Sequence, residues 1–242
     1  MLGPGRLPIC YRCTVFPAAL LFDLDGTLVD SERESAEAMA RVYATQYGVT
    51  ISQADRDYVI GRSWVAIYQR MQELYPRVAL SRADLIAAVA LVRDDVFTES
   101  GITILPGARE LLARSAGMRR ALVTGSSRVE AAQALKHLGD HASFDVVMAA
   151  EDVEHSKPHP IGYLQAAAAL GVAPADCVVI EDSQAGIAAG RAAGCTVVAV
   201  VAGNFAQWDQ SGAHHIVATL EVLTPEWLAS CMAVGFHART PA

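Results

Sequence analysis

Short apolar runs, each followed by polar residues, recur along the chain. Four are clear, at 18–22, 121–123, 177–180 and 196–201, and a weaker one covers 144–149. Continuous runs of this length, alternating with helical segments, are typical of buried parallel strands. In open α/β sheets, ligands bind beyond the carboxyl ends of the strands. The polar clusters that follow the runs should therefore meet at one edge of a sheet.

The segments between the runs carry the signals of helix ends. Ser127 and Glu130 have the spacing of a capping box, and Pro160 suits the first turn of another helix. Ser183 can cap a helix over 184–193. These patterns predict an α/β fold with a Rossmann-like parallel sheet core.

The stretch from residue 31 to 103 breaks this alternation, because no apolar run of comparable quality occurs there. Its first helix has apolar positions at three-four spacing, namely Ala36, Met39, Ala40, Tyr43 and Tyr47. Further helical patterns cover about 64–74 and 81–97. We predict an inserted small all-helical cap domain over 31–103. The core would comprise 18–30 and 104–242, preceded by an N-terminal extension over 1–17.

The composition of the chain argues against some classes of binding partner. Hydrophobic residues make up 52% of the 242 residues, which is enough for a buried core. The formal net charge of −7 argues against nucleic acid as a partner. No apolar stretch has the roughly 18–20 residues of a membrane span. Cleavage of a signal peptide would remove the strand before Asp23, so we predict a cytoplasmic protein, monomeric or weakly dimeric.

The five cysteines are scattered and odd in number, which does not indicate a disulfide framework. Cys177 and Cys195 lie beside apolar runs, as buried small hydrophobes do. Cys10 and Cys13 form a C-x-x-C with no second ligand pair at metal-binding spacing, so we assign them no metal or redox role.

Asp23 and Asp25 follow the first apolar run. In an extended strand, residues two apart point to the same face, so both carboxylates can enter one site. Two such close carboxylates repel unless a cation or a proton is shared, and Mg²⁺ prefers oxygen ligands. The alternative is a surface turn, because Asp-Gly is a common turn dipeptide.

A second acidic pair, Glu181-Asp182, closes the third clear run. Facing the same sheet edge, it would complete an oxygen-rich metal site. A helix N-terminus also favours acidic residues, and this alternative accounts for Asp182. It does not explain why two separate strands end in acidic pairs.

Thr124-Gly125-Ser126 follows the second run and precedes a helix, where a hydroxyl and backbone N–H groups can bind a phosphate. Plain helix capping by the serine is the alternative. Lys157 is one of only two lysines and lies just before two prolines, Pro158 and Pro160, in a loop. Its ammonium could offset the carboxylates and attract a phosphate, although a solvated loop lysine remains the alternative. His155 and His159 flank it as loop residues.

Taken in order, these segments resemble the motifs of the haloacid dehalogenase-like hydrolase superfamily. Residues 22–32, FDLDGTLVDSE, resemble its first motif, and Thr124 its second. Lys157 resembles the third, and Glu181-Asp182 the fourth. The resemblance spans roughly 18 to 201. The insertion resembles the helical-cap branch that contains β-phosphoglucomutase, phosphoglycolate phosphatase and sugar-phosphate phosphatases.

The resemblance implies a Mg²⁺-dependent phosphatase that acts on a small phosphorylated metabolite. Asp23 would be the nucleophile that forms an aspartyl-phosphate, and Asp25 the general acid and base. Mg²⁺ would be held by Asp23, the Asp25 carbonyl and Asp182, with Glu181 binding directly or through water. The phosphoryl oxygens would be bound by Thr124, Gly125, Ser126 and Lys157.

Other chemistries of the superfamily fit the residues less well. Haloacid dehalogenases lack the second aspartate, here Asp25, and phosphonatases need a cap lysine that 31–105 does not contain. A sugar-phosphate mutase of the β-phosphoglucomutase type is the remaining alternative, but the cap histidine of that group is absent here. A binding protein on an inactive scaffold would have lost a motif residue, and all are present. Arg62 and Trp64 are candidate specificity residues, with ordinary surface and packing roles as the alternative.

Overall fold

A computed structural model describes residues 16–60, 62, 64–139 and 142–235 of the chain. Its strands are β1 (Ala19–Phe22), β2 (Val29–Asp30), β3 (Thr103–Ile104), β4 (Arg119–Val123), β5 (Val146–Met148), β6 (Cys177–Glu181), β7 (Thr196–Val200) and β8 (His215–Val217). Its helices are α1 (Glu32–Tyr47), α2 (Gln53–Val59), α3 (Trp64–Leu74), α4 (Arg82–Ser100), α5 (Ala108–Arg114), α6 (Arg128–Leu138), α7 (Ile161–Ala169), α8 (Gln184–Ala192) and α9 (Pro225–Gly235).

Six strands form one parallel sheet in the order β5-β4-β1-β6-β7-β8. The strand β1 lies near its middle, and all four of its side chains are fully buried. Leu20 and Phe22 pack into one core cluster with α5, α6 and α9, whereas Ala19 and Leu21 pack into another with α7 and α8. The alternation of side chains along a strand thus supplies both faces of a three-layer α/β fold.

The predicted fold class is confirmed. Each of the four clear apolar runs forms a strand, and the weaker run at 144–149 forms one over Val146–Met148 only. Ser127 and Glu130 form the capping box at the start of α6. The hydroxyl of Ser183 accepts a hydrogen bond from the Gly186 N–H at the start of α8. These caps satisfy N–H groups that have no partner inside a helix.

Between β2 and β3 the chain forms α1 to α4, which we call the helical segment (31–103). It has a hydrophobic cluster of its own, with Met39, Tyr43, Met71 and Leu85 fully buried. The antiparallel pair β2–β3 connects it to the sheet. The boundaries of a separate cap domain remain a prediction.

Ion pairs and short elements add details that the pattern did not predict. Arg93 of α4 pairs with Glu130 of α6, which links the helical segment to the core. The seven-residue α2 and the short strands β2, β3 and β8 were not predicted.

Cys10 and Cys13 lie outside the described residues, as does most of the predicted extension. Within the described ranges, no helix is both long and apolar enough to cross a membrane.

Gly107 marks the return of the chain to the core and should tolerate no side chain. Its φ is +85°, and a Cβ there would lie 2.3 Å from the backbone N of Glu221. We expect Gly107→Ala to lower the free energy of unfolding by roughly 2 kcal/mol or more, because strain and overlap add. Urea denaturation measures the loss.

Gly117 provides the matched control, since a Cβ there would have no described atom within 4 Å and its φ lies outside the left-handed region. Gly117→Ala should change the free energy of unfolding by about 0.5 kcal/mol or less. Equal losses in the two variants would contradict the close approach at Gly107.

Candidate active site

Asp23 is the first residue after β1, at the carboxyl end of the sheet. Its N–H donates to the Ile180 carbonyl at 3.0 Å, which continues the pairing of β1 with β6. Its side chain is buried, and its Oδ1 lies 2.5 Å from Lys157 Nζ. The strand therefore delivers a carboxylate to the sheet edge, where the loop lysine meets it.

Glu181, the last residue of β6, is fully buried and its carboxylate is fully hydrogen-bonded. Its Oε1 accepts from Lys157 Nζ and, at 2.7 Å, from the Tyr163 hydroxyl. Its Oε2 accepts from Ser183 Oγ at 3.0 Å and from two backbone N–H groups. These hydrogen bonds offset the cost of burying the polar oxygens of this side chain.

Asp182 completes a group of three acidic residues. One carboxylate oxygen each from Asp23, Glu181 and Asp182 lies within 4.8 Å of the others. Burial, followed by repulsion from Glu181, raises the pKa of Asp23 to about 7 despite the opposing effect of Lys157. Burial and repulsion from Glu181 and Asp23 also raise the pKa of Asp182 well above its usual range. The protein alone leaves this cluster short of positive charge.

Lys157 carries the positive charge that the cluster does have. Burial alone would lower its pKa, but the carboxylates of Asp23 and Glu181 outweigh burial and raise the pKa well above the usual value. Its ammonium also lies 5.3 Å from the centre of the Tyr163 ring. The lysine is therefore held as a cation between two acids, and it is not a solvated loop residue.

The donor set of this cluster fits a hard divalent cation such as Mg²⁺. All three candidate side chains offer carboxylate oxygen, which Mg²⁺ prefers, and a bound cation would offset the repulsion that helps to raise the pKa values of Asp23 and Asp182. Gly26 allows the close approach of Asp182, because a Cβ there would lie 2.3 Å from Asp182 Oδ2. The residues present thus fit the ion that the sequence predicts.

Asp25 lies apart from this carboxylate cluster. Its Oδ2 accepts from Ser126 Oγ at 2.5 Å, and its Oδ1 accepts from the hydroxyl of Ser31. Ser31 precedes α1, yet its side chain makes no helix cap. The two predicted aspartates therefore differ in their surroundings. Asp23 is buried beside Lys157, whereas Asp25 is half-buried and accepts hydrogen bonds from two hydroxyl groups.

Thr124, Gly125 and Ser126 lie at the carboxyl end of β4, as predicted. The Thr124 hydroxyl accepts from the Ser126 N–H at 3.0 Å, which leaves its proton available to a ligand. Gly125 has open space on the side where a Cβ would lie. The Ser126 hydroxyl is committed to Asp25, so its side chain acts on that aspartate, and its predicted contact with phosphate has no support from this geometry.

A cavity of about 690 Å³ opens over these residues. Asp23, Asp25, the loop 124–126, Lys157 and Asp182 line it, as do His155, His159 and Arg62. Trp64 does not line it and packs against the core of the helical segment. Of the two predicted specificity residues, the structure therefore brings only Arg62 to the site.

Several site residues were not predicted. Tyr163 fits an ordinary buried position of a helix, and Ser31 fits a helix cap. Trp208 lines the cavity from the loop between β7 and β8. Gln210, in the same loop, donates to the Asp182 carbonyl at 2.6 Å. Each role depends on a contact with another part of the chain, and no local sequence pattern signals it.

Comparisons with known proteins agree with this geometry. A family model for haloacid dehalogenase-like hydrolases matches residues 17–194. Hexitol phosphatase A of Escherichia coli (strain K12) is 37% identical over 192 residues, covering 78% of this chain and 83% of that protein. Fructose-1-phosphate phosphatase YqaB of the same organism is 35% identical over 189 residues, covering 76% and 96%.

Among solved structures, β-phosphoglucomutase from Clostridium difficile matches with a TM-score of 0.68 and 27% identity, covering 91% of this chain and 99% of that one. The chain belongs to the haloacid dehalogenase-like hydrolase family and is a hydrolase. The family resemblance drawn from the sequence motifs is confirmed.

The excess of negative charge in the cluster has a measurable consequence for stability. We expect Asp182→Asn to raise the melting temperature in EDTA by roughly 3 °C, about 1 kcal/mol for a chain of this size, because one buried charge is removed. We also expect MgCl₂ to raise the melting temperature of the unaltered protein, and to raise that of Asp182→Asn much less. Differential scanning fluorimetry measures both shifts.

Asp95→Asn is the matched control, because Asp95 is exposed on α4 and does not line the cavity. It removes the same formal charge but should leave both melting temperatures within about 1 °C of the unaltered protein. A response to MgCl₂ that is unchanged in Asp182→Asn would contradict the placement of the ion.

Proposed function

We propose that this protein is a Mg²⁺-dependent phosphatase that hydrolyses small phosphate monoesters through an aspartyl-phosphate intermediate. One observation carries the proposal. Asp23, beside Lys157 and a buried acidic pair, shares its cavity with a second aspartate that hydroxyl groups hold in place. A nucleophile, a separate acid and a site for a cation are the parts that phosphoryl transfer to a carboxylate needs.

In the first half-reaction, a carboxylate oxygen of Asp23 attacks phosphorus and the bond from phosphorus to the ester oxygen breaks. Asp25 gives its proton to the leaving oxygen, so that an alcohol departs. Ser31 and Ser126 aim the Asp25 carboxyl at the site by hydrogen bonds to its two oxygens. Lys157 keeps the attacking carboxylate oriented, since its Nζ lies 2.5 Å from Asp23 Oδ1.

In the second half-reaction, water attacks the phosphorus of the aspartyl-phosphate. Asp25, now ionised, takes the proton from that water, the acyl–phosphate bond breaks, and inorganic phosphate leaves. Asp23 returns to its carboxylate form and Asp25 to its protonated form, so the cycle closes. The same aspartate serves as acid and then as base because both proton transfers occur on one side of the phosphorus.

Phosphate binding is assigned to Thr124, Gly125 and Lys157. The threonine hydroxyl and the backbone N–H of Gly125 precede α6, where the helix dipole favours an anion; the Thr124 and Ser126 N–H groups already donate within the protein. Bound Mg²⁺ would be held by Asp23, Asp182 and the Asp25 carbonyl, with Glu181 binding directly or through water, and would supply charge neutralisation for the transferring phosphoryl group. Lys157 contributes the fixed positive charge of the protein itself.

A small phosphorylated metabolite, most simply a sugar phosphate, is the substrate class that we propose. Two relatives bear the names hexitol phosphatase A and fructose-1-phosphate phosphatase, which supports this class. The second candidate is a sugar-phosphate mutase, since a β-phosphoglucomutase shares the fold. The helical segment offers no histidine, which favours hydrolysis.

Removal of the nucleophile gives the most direct test. We expect Asp23→Asn to lower the kcat for p-nitrophenyl phosphate in MgCl₂ by roughly 10³-fold or more, since an amide cannot form the intermediate. The melting temperature, measured alongside, should show a folded protein. Near-normal turnover by a folded Asp23→Asn variant would overturn the mechanism.

The second aspartate should act in both half-reactions, and the intermediate should reveal it. Acetyl phosphate has a good leaving group that needs no acid, so Asp25→Asn should still phosphorylate Asp23 but release phosphate slowly. We expect ³²P from labelled acetyl phosphate to accumulate on this variant in a form that hydroxylamine removes. The double variant Asp23→Asn/Asp25→Asn is the control and should retain no label.

The choice between phosphatase and mutase is tested with β-glucose 1-phosphate. We expect inorganic phosphate as the product and no glucose 6-phosphate, measured by phosphate release and by a coupled dehydrogenase assay. Efficient formation of glucose 6-phosphate would instead establish the mutase.

A further inference from the structure

Trp208 presents a large exposed apolar surface to the cavity that contains Asp23. Its side chain is 47% exposed, and among the described residues it is the one exposed large hydrophobic that lines the cavity of Asp23. An indole left in contact with water loses the stabilisation that burial would give it. A ligand that covers the ring recovers that stabilisation.

The backbone around Trp208 is held firmly. The Trp208 N–H donates to Asn204 Oδ1 at 2.8 Å, and Asn204 Nδ2 donates to the Trp208 carbonyl at 2.9 Å. Gln207 adopts a φ of 54°, which is uncommon for a residue other than glycine. The loop therefore holds the backbone that carries the indole in one conformation, at the cost of local strain at Gln207.

The loop between β7 and β8, which carries Trp208, contacts both Asp182 and the helical segment. The buried Gln210 donates from Nε2 to the carbonyls of Asp182 and Val200 at 2.6 and 2.9 Å. The Arg33 guanidinium of α1 lies 5.6 Å from the centre of the Phe205 ring. Trp208 is thus positioned relative to Asp182, and so relative to any phosphate bound at Asp23.

Polar groups elsewhere on the wall of the cavity indicate the kind of molecule that would cover the indole. Glu32, Glu154 and His155 line the same cavity and carry groups of the kind that accept hydrogen bonds from hydroxyls. Arg62 lines it as well and can donate. A cavity that offers both a flat apolar surface and such groups suits a polyhydroxylated ring, which presents C–H bonds on its faces and hydroxyls at its edge.

Resting on the proposed phosphatase function, we propose that Trp208 is a specificity-determining residue that stacks on the ring of a cyclic sugar or cyclitol phosphate. An open-chain polyol phosphate has no such preformed face and loses more conformational freedom on binding. The residue thereby favours ring substrates over open-chain ones of the same size. It is a substrate-binding residue and takes no part in the proton transfers.

Glucose 6-phosphate and sorbitol 6-phosphate form a matched substrate pair, because they differ mainly in ring closure. We expect Trp208→Ala to lower kcat/KM about tenfold for the ring substrate, mostly through KM, and about twofold for the open-chain substrate. Trp208→Phe, which keeps an aromatic face, should recover most of the difference. The readout is the ratio of the two kcat/KM values, so a general loss of folding does not imitate it.

Equal losses on both substrates would overturn the proposal and assign Trp208 a structural role. No loss on either, or a selective loss on a nucleoside monophosphate instead, would also overturn it. If the unaltered protein releases phosphate from none of the substrates named above, the proposed phosphatase function itself is contradicted, whatever the role of Trp208.

A binding measurement keeps the proposal testable without turnover. In Asp23→Asn, we expect myo-inositol 1-phosphate to quench tryptophan fluorescence, and the added change Trp208→Phe should abolish the quenching. Trp227→Phe is the control, because Trp227 packs against His215 and does not line the cavity, and quenching should persist. Quenching that survives Trp208→Phe and disappears with Trp227→Phe would refute the stacking.

Discussion

The contact of Lys157 with Asp23 and Glu181 is the interaction on which the site depends. Three buried carboxylates at the end of adjacent strands repel one another, and this lysine is the protein's own compensating charge among them. The contact joins residues that lie 134 and 24 positions from Lys157 along the chain. Removing one partner of a buried pair leaves an uncompensated charge, so the sheet edge, the loop and the metal site depend on each other.

A sequence pattern could predict the sheet and the candidate site residues at its edge because both depend on local signals. Buried strands such as β1 and β6 are continuous apolar runs, and the acids end or follow them. Apart from Lys157, the pattern could not predict the partners of those acids. Ser31 has the position of a helix cap but donates to Asp25, and Tyr163 has the position of a core residue but donates to Glu181. Trp64 was predicted to contact the substrate. It packs instead against the hydrophobic cluster of the helical segment, where its ring is partly buried.

The different roles that we propose for the two aspartates fit their surroundings. Asp23 is held by a cation in a buried cluster, which would suit an ionised nucleophile once a metal offset the remaining repulsion. Asp25 is held by the neutral hydroxyls of Ser31 and Ser126, which can both donate and accept hydrogen bonds. Since Ser31 precedes the first helix of the helical segment and Ser126 belongs to the core, the proposed acid-base residue lies where the two parts of the chain meet.

The candidate residues for substrate recognition come from outside the sheet. Arg62 comes from the helical segment and Trp208 from a loop after β7, and both line the cavity that contains Asp23. Gln210 connects that loop to the candidate metal site, because its side-chain amide donates to the backbone carbonyl of Asp182. A loop that was free to move could offer an aromatic face only at an entropic cost to each binding event. Anchoring the loop to the backbone of Asp182 lowers that cost, as the specificity role proposed for Trp208 requires.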